Sequence, residues 1–138
     1  MGLSIAITLP EFNFDINVEG WKNVQEHNNA SVWQKCVESL SSIEDKAGGV
    51  YFLEGAEGVL YIGRSVNLKE RLVGHLVGND RKSKTYKEHI AKVSGFYEDD
   101  IANQEIYEAY AIKTITPLHN KAKTTKVYGN YGRYPSKQ

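Results

Sequence analysis

The sequence predicts an α+β domain: a small, mostly antiparallel sheet of three strands flanked by helices, with an N-terminal strand and helix added. Three observations carry that expectation. Residues 49–63, GVYFLEGAEGVLYIG, hold two β-rich runs around a glycine-bearing turn, the mark of a hairpin. Leu68, Leu72 and Leu76 then recur at every fourth position, as on one face of a helix. A last helical stretch, IANQEIYEAYAIKTI, is stopped by Pro117, which cannot continue a helix.

The elements follow in chain order. Phe12, Phe14, Ile16 and Val18 alternate with polar residues, a strand signature, and Pro10 before them suits an edge or turn. Val32, Trp33, Cys36, Val37 and Leu40 fall at helical spacing, and Ala47-Gly48-Gly49 breaks the chain after them. The hairpin comes next, turning through Glu54–Gly58. Ser65 or Asn67 is placed to cap the Leu68 helix. The stretch KTYKEHIAKV predicts a second, short helix and VSGFYE a third strand. In the last helix, Ile101, Ala102, Ala109, Ile112 and Ile115 define an apolar face, with Glu105 and Glu108 within or beside it. Trp21 and Trp33 are expected to pack the N-terminal layer on the rest. The division expected is 1–48 as an N-terminal extension, 49–120 as the central module and 121–138 as a basic tail.

Composition bounds the class. One domain is the prior for 138 residues, and 41% hydrophobic content supports a core without staples. No apolar run approaches the ~18 residues of a membrane span, and the start lacks the pattern of a signal peptide. A single cysteine, Cys36, excludes an internal disulfide and a cysteine-built zinc site. A reduced, cytoplasmic (intracellular) setting is expected, with no membrane partner. No phosphate-binding P-loop and no HExxH motif is present.

The net charge of zero conceals a block pattern. Residues 1–58 carry net −6, residues 59–92 net +5, residues 93–112 net −5 and residues 113–138 net +6. Two basic blocks flanking a short acidic one suit a polyanion better than uniform neutrality does. The tail adds Tyr128, Tyr131 and Tyr134 spaced by three among basic residues, a pattern able to stack bases.

Individual residues sharpen the class. Arg71 and His75 sit one turn apart at the border of the leucine stripe. A carboxylate on an apolar helix face is costly unless it is paired or binds a metal, so Glu105 and Glu108 mark either an ion pair or a functional site. His27, His89 and His119 lack ligand spacing, although His119 adjoins Asn120.

These residues carry a resemblance. Gly49-Val50-Tyr51, followed by Tyr61-Ile62-Gly63 ten residues after the first tyrosine, resembles the paired motif of the GIY-YIG nuclease family, with Val in place of the first Ile. The likeness continues through GRSVNLKERLVGH, with Arg71 ten residues beyond the second tyrosine and His75 one turn later. EAYAIKTITPLHN is similar to the family's ending: Glu108, Ile112-Lys113, Pro117, and Asn120 twelve residues past the glutamate. That spacing selects Glu108 over Glu105.

The resemblance implies a β-β-α-β-α module that cleaves phosphodiester bonds. Tyr51, Tyr61, Arg71, His75, Glu108 and Asn120 are the implied catalytic set. Glu108 holds Mg²⁺ (or Mn²⁺), Arg71 clamps phosphate oxygens, and the tyrosines and His75 serve acid–base roles, the base being left open. Arg64, Lys69, Lys121 and Lys123 are implied to bind substrate. The expected function is a small metal-dependent DNA endonuclease of phage, mobile-element or restriction type, and a homodimer suits cutting of both strands. The alternatives are a non-catalytic DNA-binding module of the same fold and an RNA-cleaving nuclease.

Overall fold

The computed structural model describes residues 2–18, 34, 37–77 and 89–120. The readings on Trp21, Trp33, Cys36, His27, residues 84–88, Lys121, Lys123 and the tail tyrosines fall outside the described residues.

Six elements follow in order: β1 (Phe14–Asn17), β2 (Gly49–Gly55), β3 (Gly58–Ser65), α1 (Leu68–Val77), β4 (Lys92–Tyr97) and α2 (Ile101–Ile115). Residues 34 and 37–39 are also helical. The strands form one antiparallel sheet in the order β1-β4-β2-β3. The sheet therefore has four strands where the sequence suggested three. The N-terminal strand pairs with β4, from Phe14 opposite Gly95 to Asn17 opposite Lys92. Such a distant pairing leaves no local signature. The short helix expected over 84–93 also gives way at its end, because Lys92 and Val93 already belong to β4.

The hairpin is tighter than expected, with only Ala56 and Glu57 between its strands. Gly58 stands at φ 139°, a backbone state that side chains disfavour. A register shift falls between Leu53 and Glu54.

Side chains alternate across the sheet and so build two cores. One face packs Phe14, Tyr51, Leu53 and Val93 against Leu68, Leu72 and Leu76 of α1. Each fully buried leucine contributes about 1.5–3 kcal/mol of apolar transfer. The other face packs Val50, Phe52, Ile62 and Phe96 against Ala111 and Ile112 of α2. The α1 cap is Asn67, whose Oδ1 accepts from the Glu70 N–H at 3.2 Å. Asp100 caps α2 through the N–H groups of Ala102 and Asn103. Thr116, at φ 51°, ends that helix before Pro117.

The apolar face predicted for α2 is corrected. Ile101, Ala102, Ala109 and Ile115 are exposed, and the buried residues are Gln104, Glu108, Ala111 and Ile112. Two polar residues occupy the inward stripe. Gln104 can do so because its Nε2 donates to the Glu98 carbonyl at 2.7 Å.

Candidate active site

The site grows from the two central strands. Tyr51 on β2 stands opposite Gly63, and Tyr61 on β3 opposite Leu53. Both tyrosines thus face α1, with ring centroids 6.2 Å apart. His75 enters between them from α1, its ring centroid 5.3 Å from Tyr51 and 5.5 Å from Tyr61. The Tyr51 hydroxyl lies 2.7 Å from His75 Nε2, a buried hydrogen bond whose direction follows the imidazole tautomer. Tyr51 and His75 are buried and Tyr61 is half-buried, so Tyr61 is the member of the three with solvent access. Arg71, one turn before His75, is half-buried on the same helix. His75 fills the core beside the tyrosines.

Gly63 makes this crowding permissible. A Cβ there would overlap the Tyr51 hydroxyl and come within 2.9 Å of the Tyr61 ring. Gly49 plays a similar part at the start of β2, where a Cβ would collide with the Phe96 carbonyl oxygen.

The opposite face carries the charges. Arg64, next to Gly63, points towards α2 by the alternation of β3. Its Nη2 donates to Glu105 Oε2 at 3.1 Å, and its Nε lies 3.7 Å from Glu108 Oε1. The Glu108 side chain is 9% exposed and that of Glu105 59%. Glu108 is thus the inward carboxylate and Glu105 the outward one. The predicted set therefore divides into two groups: Tyr51, Tyr61, Arg71 and His75 with α1, and Arg64 and Glu108 with α2. The two groups lie on opposite faces of the sheet and are linked through Gly63 and Arg64, consecutive residues of its outer strand.

Asn120 clips that strand. Its Oδ1 accepts from the Ile62 N–H and its Nδ2 donates to the Ile62 carbonyl, both at 2.9 Å and buried. The His119 N–H donates to the Leu60 carbonyl at 2.9 Å. Residues 118–120 thus seal part of the β3 edge, which would otherwise offer unpaired backbone groups. One donor and one acceptor of the Asn120 amide are used in this clip.

Lys69 is held elsewhere: its Nζ lies 2.6 Å from Asp45 Oδ1. That contact draws the Asp45 carboxyl below its ordinary range, first through the hydrogen bond and then through the charge of Lys69. His89 and His119 line a cavity of about 460 Å³ at the β2–β3 turn, the far end of the strands from Arg64. Among the described residues, no three His, Cys, Asp or Glu side chains group as a metal cage, and no helix is long and apolar enough to cross a membrane.

Comparison with known proteins converges on one family. Residues 47–123 match the GIY-YIG catalytic domain. UvrABC system protein C of Fervidobacterium nodosum is 34% identical over 90 residues, covering 64% of this chain and 16% of that protein. Uncharacterized protein YurQ of Bacillus subtilis is 29% identical over 84 residues, 61% of this chain and 65% of that one. The chain thus spans less than two thirds of the length of either curated relative. The fold is shared with the GIY-YIG N-terminal endonuclease domain of UvrC from Thermotoga maritima bound to its catalytic divalent cation, magnesium. That structure is 23% identical, with a TM-score of 0.54 over 63% of this chain and 97% of that domain. The match to more than half of the sequence, on the same strands and helices that carry Tyr51, Tyr61 and Glu108, shows that this chain belongs to the GIY-YIG family of endonuclease domains.

Proposed function

We propose that the chain hydrolyses phosphodiester bonds in DNA with the help of a divalent metal ion. The observation that supports this most is the buried Tyr51–His75 hydrogen bond at 2.7 Å beside Tyr61. The contact satisfies two buried polar groups and at the same time gives a proton a path between them. A free phenol ionises near pH ~10 and an imidazole near ~6.5, so full transfer from Tyr51 to His75 is uphill. The step that suits the pair is concerted and needs water to enter past the half-buried Tyr61: Tyr51 oxygen accepts a proton from that attacking water as its own proton passes to His75 Nε2, leaving an imidazolium. Tyr61 orients the water or the phosphate from the solvent side.

The residues around the Gly63–Arg64 edge supply the rest. Arg71 and Arg64 donate N–H groups to non-bridging phosphate oxygens, where a planar fork fits. Glu108 suits Mg²⁺, a hard cation that keeps most of its waters and takes one or two carboxylates; an inward carboxylate outside any group of three His, Cys, Asp or Glu side chains among the described residues is consistent with that donor set. When bound there, such an ion supplies charge stabilisation at the phosphate and the leaving oxygen. Mn²⁺ takes the same oxygen donors. Asn120 keeps β3 in place. Lys69, Lys121 and Lys123 add positive charge along the DNA backbone. Cutting both strands with one site per chain is served by a homodimer, and an intracellular setting suits a DNA substrate.

The test is a supercoiled-plasmid assay in Mg²⁺ and in Mn²⁺, with Glu108→Ala and Arg71→Ala alongside. We expect nicking or linearisation by the wild type and losses of about 10²–10⁴-fold in the variants. DNA bound but left intact by the wild type in both metals would mean a binding module, and cleavage of RNA alone would reassign the substrate. Loss of cleavage in Glu105→Ala but not in Glu108→Ala would overturn the carboxylate assignment.

A further inference from the structure

Arg64 touches two carboxylates unequally. Its contact with the exposed Glu105, 3.1 Å, is a hydrogen bond; its approach to the inward Glu108, 3.7 Å, is too long for one. Reduced screening alone favours the reverse, because charges attract more strongly away from water. Glu105 and Glu108 lie three residues apart on α2 and so on neighbouring positions of one helix face.

We infer that Glu105 is a positioning residue: it tethers the Arg64 guanidinium beside Glu108 and keeps it from closing onto that carboxylate. The inference rests on the reading of Glu108 as the metal-holding residue. A guanidinium closed onto Glu108 competes with a divalent ion for the same oxygens. Held by Glu105, it still offsets the negative charge of Glu108 and keeps other N–H groups available for a phosphate. Glu105 therefore tunes the metal requirement through Arg64 and touches neither the reacting atoms nor the ion.

The experiment is Mn²⁺ titration of the full chain, with free ion read by electron paramagnetic resonance, for wild type, Glu105→Gln, Arg64→Gln, the double variant and Glu108→Gln. Glu105→Gln should raise the Mn²⁺ dissociation constant by about 3-fold or more, as expected for contacting charged groups. In the Arg64→Gln background the same change should shrink below about 1.5-fold, because the competing cation is gone. Half-maximal cleavage should move to higher Mn²⁺ in step with the binding shift. Thermal melting should hardly move, since an exposed ion pair contributes little to stability. Equal losses in both backgrounds would make Glu105 a field effect or a ligand, and no loss in either would remove its role, with Glu108→Gln still abolishing binding. Unchanged Mn²⁺ binding by Glu108→Gln would instead overturn the underlying metal assignment, and this inference with it.

Discussion

Replacing Asn120 by alanine removes two buried hydrogen bonds at once, to the N–H and the carbonyl of Ile62. Each such bond contributes about 0.5–1.5 kcal/mol net, and a partner left unsatisfied in the interior costs about 1–3 kcal/mol. The strand lies at the sheet's edge, where water recovers part of that loss. We therefore expect Asn120→Ala to destabilise the fold by about 2–4 kcal/mol. Asn120→Asp is the sharper probe. It keeps the acceptor for the Ile62 N–H but sets an oxygen against the Ile62 carbonyl at the spacing now occupied by Nδ2, 2.9 Å. When protonated, that oxygen can donate again. The folded state thus favours the neutral carboxyl and raises its pKa above the unfolded value. The deficit should be largest at neutral pH and shrink as pH falls through the carboxylate range. Urea unfolding followed by circular dichroism at pH 7.5 and pH 4 measures both effects. Stability of Asn120→Ala within about 0.5 kcal/mol of wild type, together with lost cleavage, would refute the clip and assign the amide to the substrate.

Gly63→Ala should cost about 1–3 kcal/mol by overpacking, with cleavage falling further than stability because the Tyr51 hydroxyl must leave its place; equal activity in the folded variant would separate the glycine from the site. Tyr51→Phe keeps the ring but strips His75 Nε2 of its hydroxyl partner. It should lower stability by about 1–3 kcal/mol and cleavage by about 10²–10⁴-fold, and full cleavage by this variant would move the proton relay to Tyr61. For Asp45, a carbon-detected NMR titration should find a midpoint below the ordinary ~3.9, returning to it in Lys69→Met. The sign follows from the lowered pKa: the pairing's small contribution to stability is complete above the unfolded value and is lost as pH falls through the folded one.

The sequence was most legible where one face of an element meets one core. Leu68, Leu72 and Leu76 pack as their spacing predicts, and the two tyrosines share a face because the hairpin register puts them there. The last helix was misread for a physical reason. Its inward stripe includes Gln104 and Glu108, which carry polar partners inward, while Ile101, Ile106 and Ile115 remain exposed. Hydropathy cannot show that a carboxylate is buried when the cation beside it comes from a strand 44 residues earlier. Asn120 itself was expected to hold the site or to touch substrate; its contacts with Ile62 favour holding, and nothing local in the sequence marks a side chain that pairs with a backbone 58 residues away.

β1 has a consequence for where the working unit begins. The family match starts at residue 47, yet Phe14 lies in the same core as Leu72 and Leu76, which flank His75. Beyond the ladder itself, the Asn13 N–H donates to the Gly95 carbonyl, the Val18 N–H donates to that of Ala91, and Asn13 Oδ1 accepts from the Tyr97 N–H. A fragment cut at residue 47 would bare that border of β4 and uncover the apolar surface beneath Phe14. It would keep every residue assigned to the chemistry and lose part of the core on which α1 packs. The stretch that folds is therefore longer than the stretch that reacts, and domain exchange among relatives should respect the former.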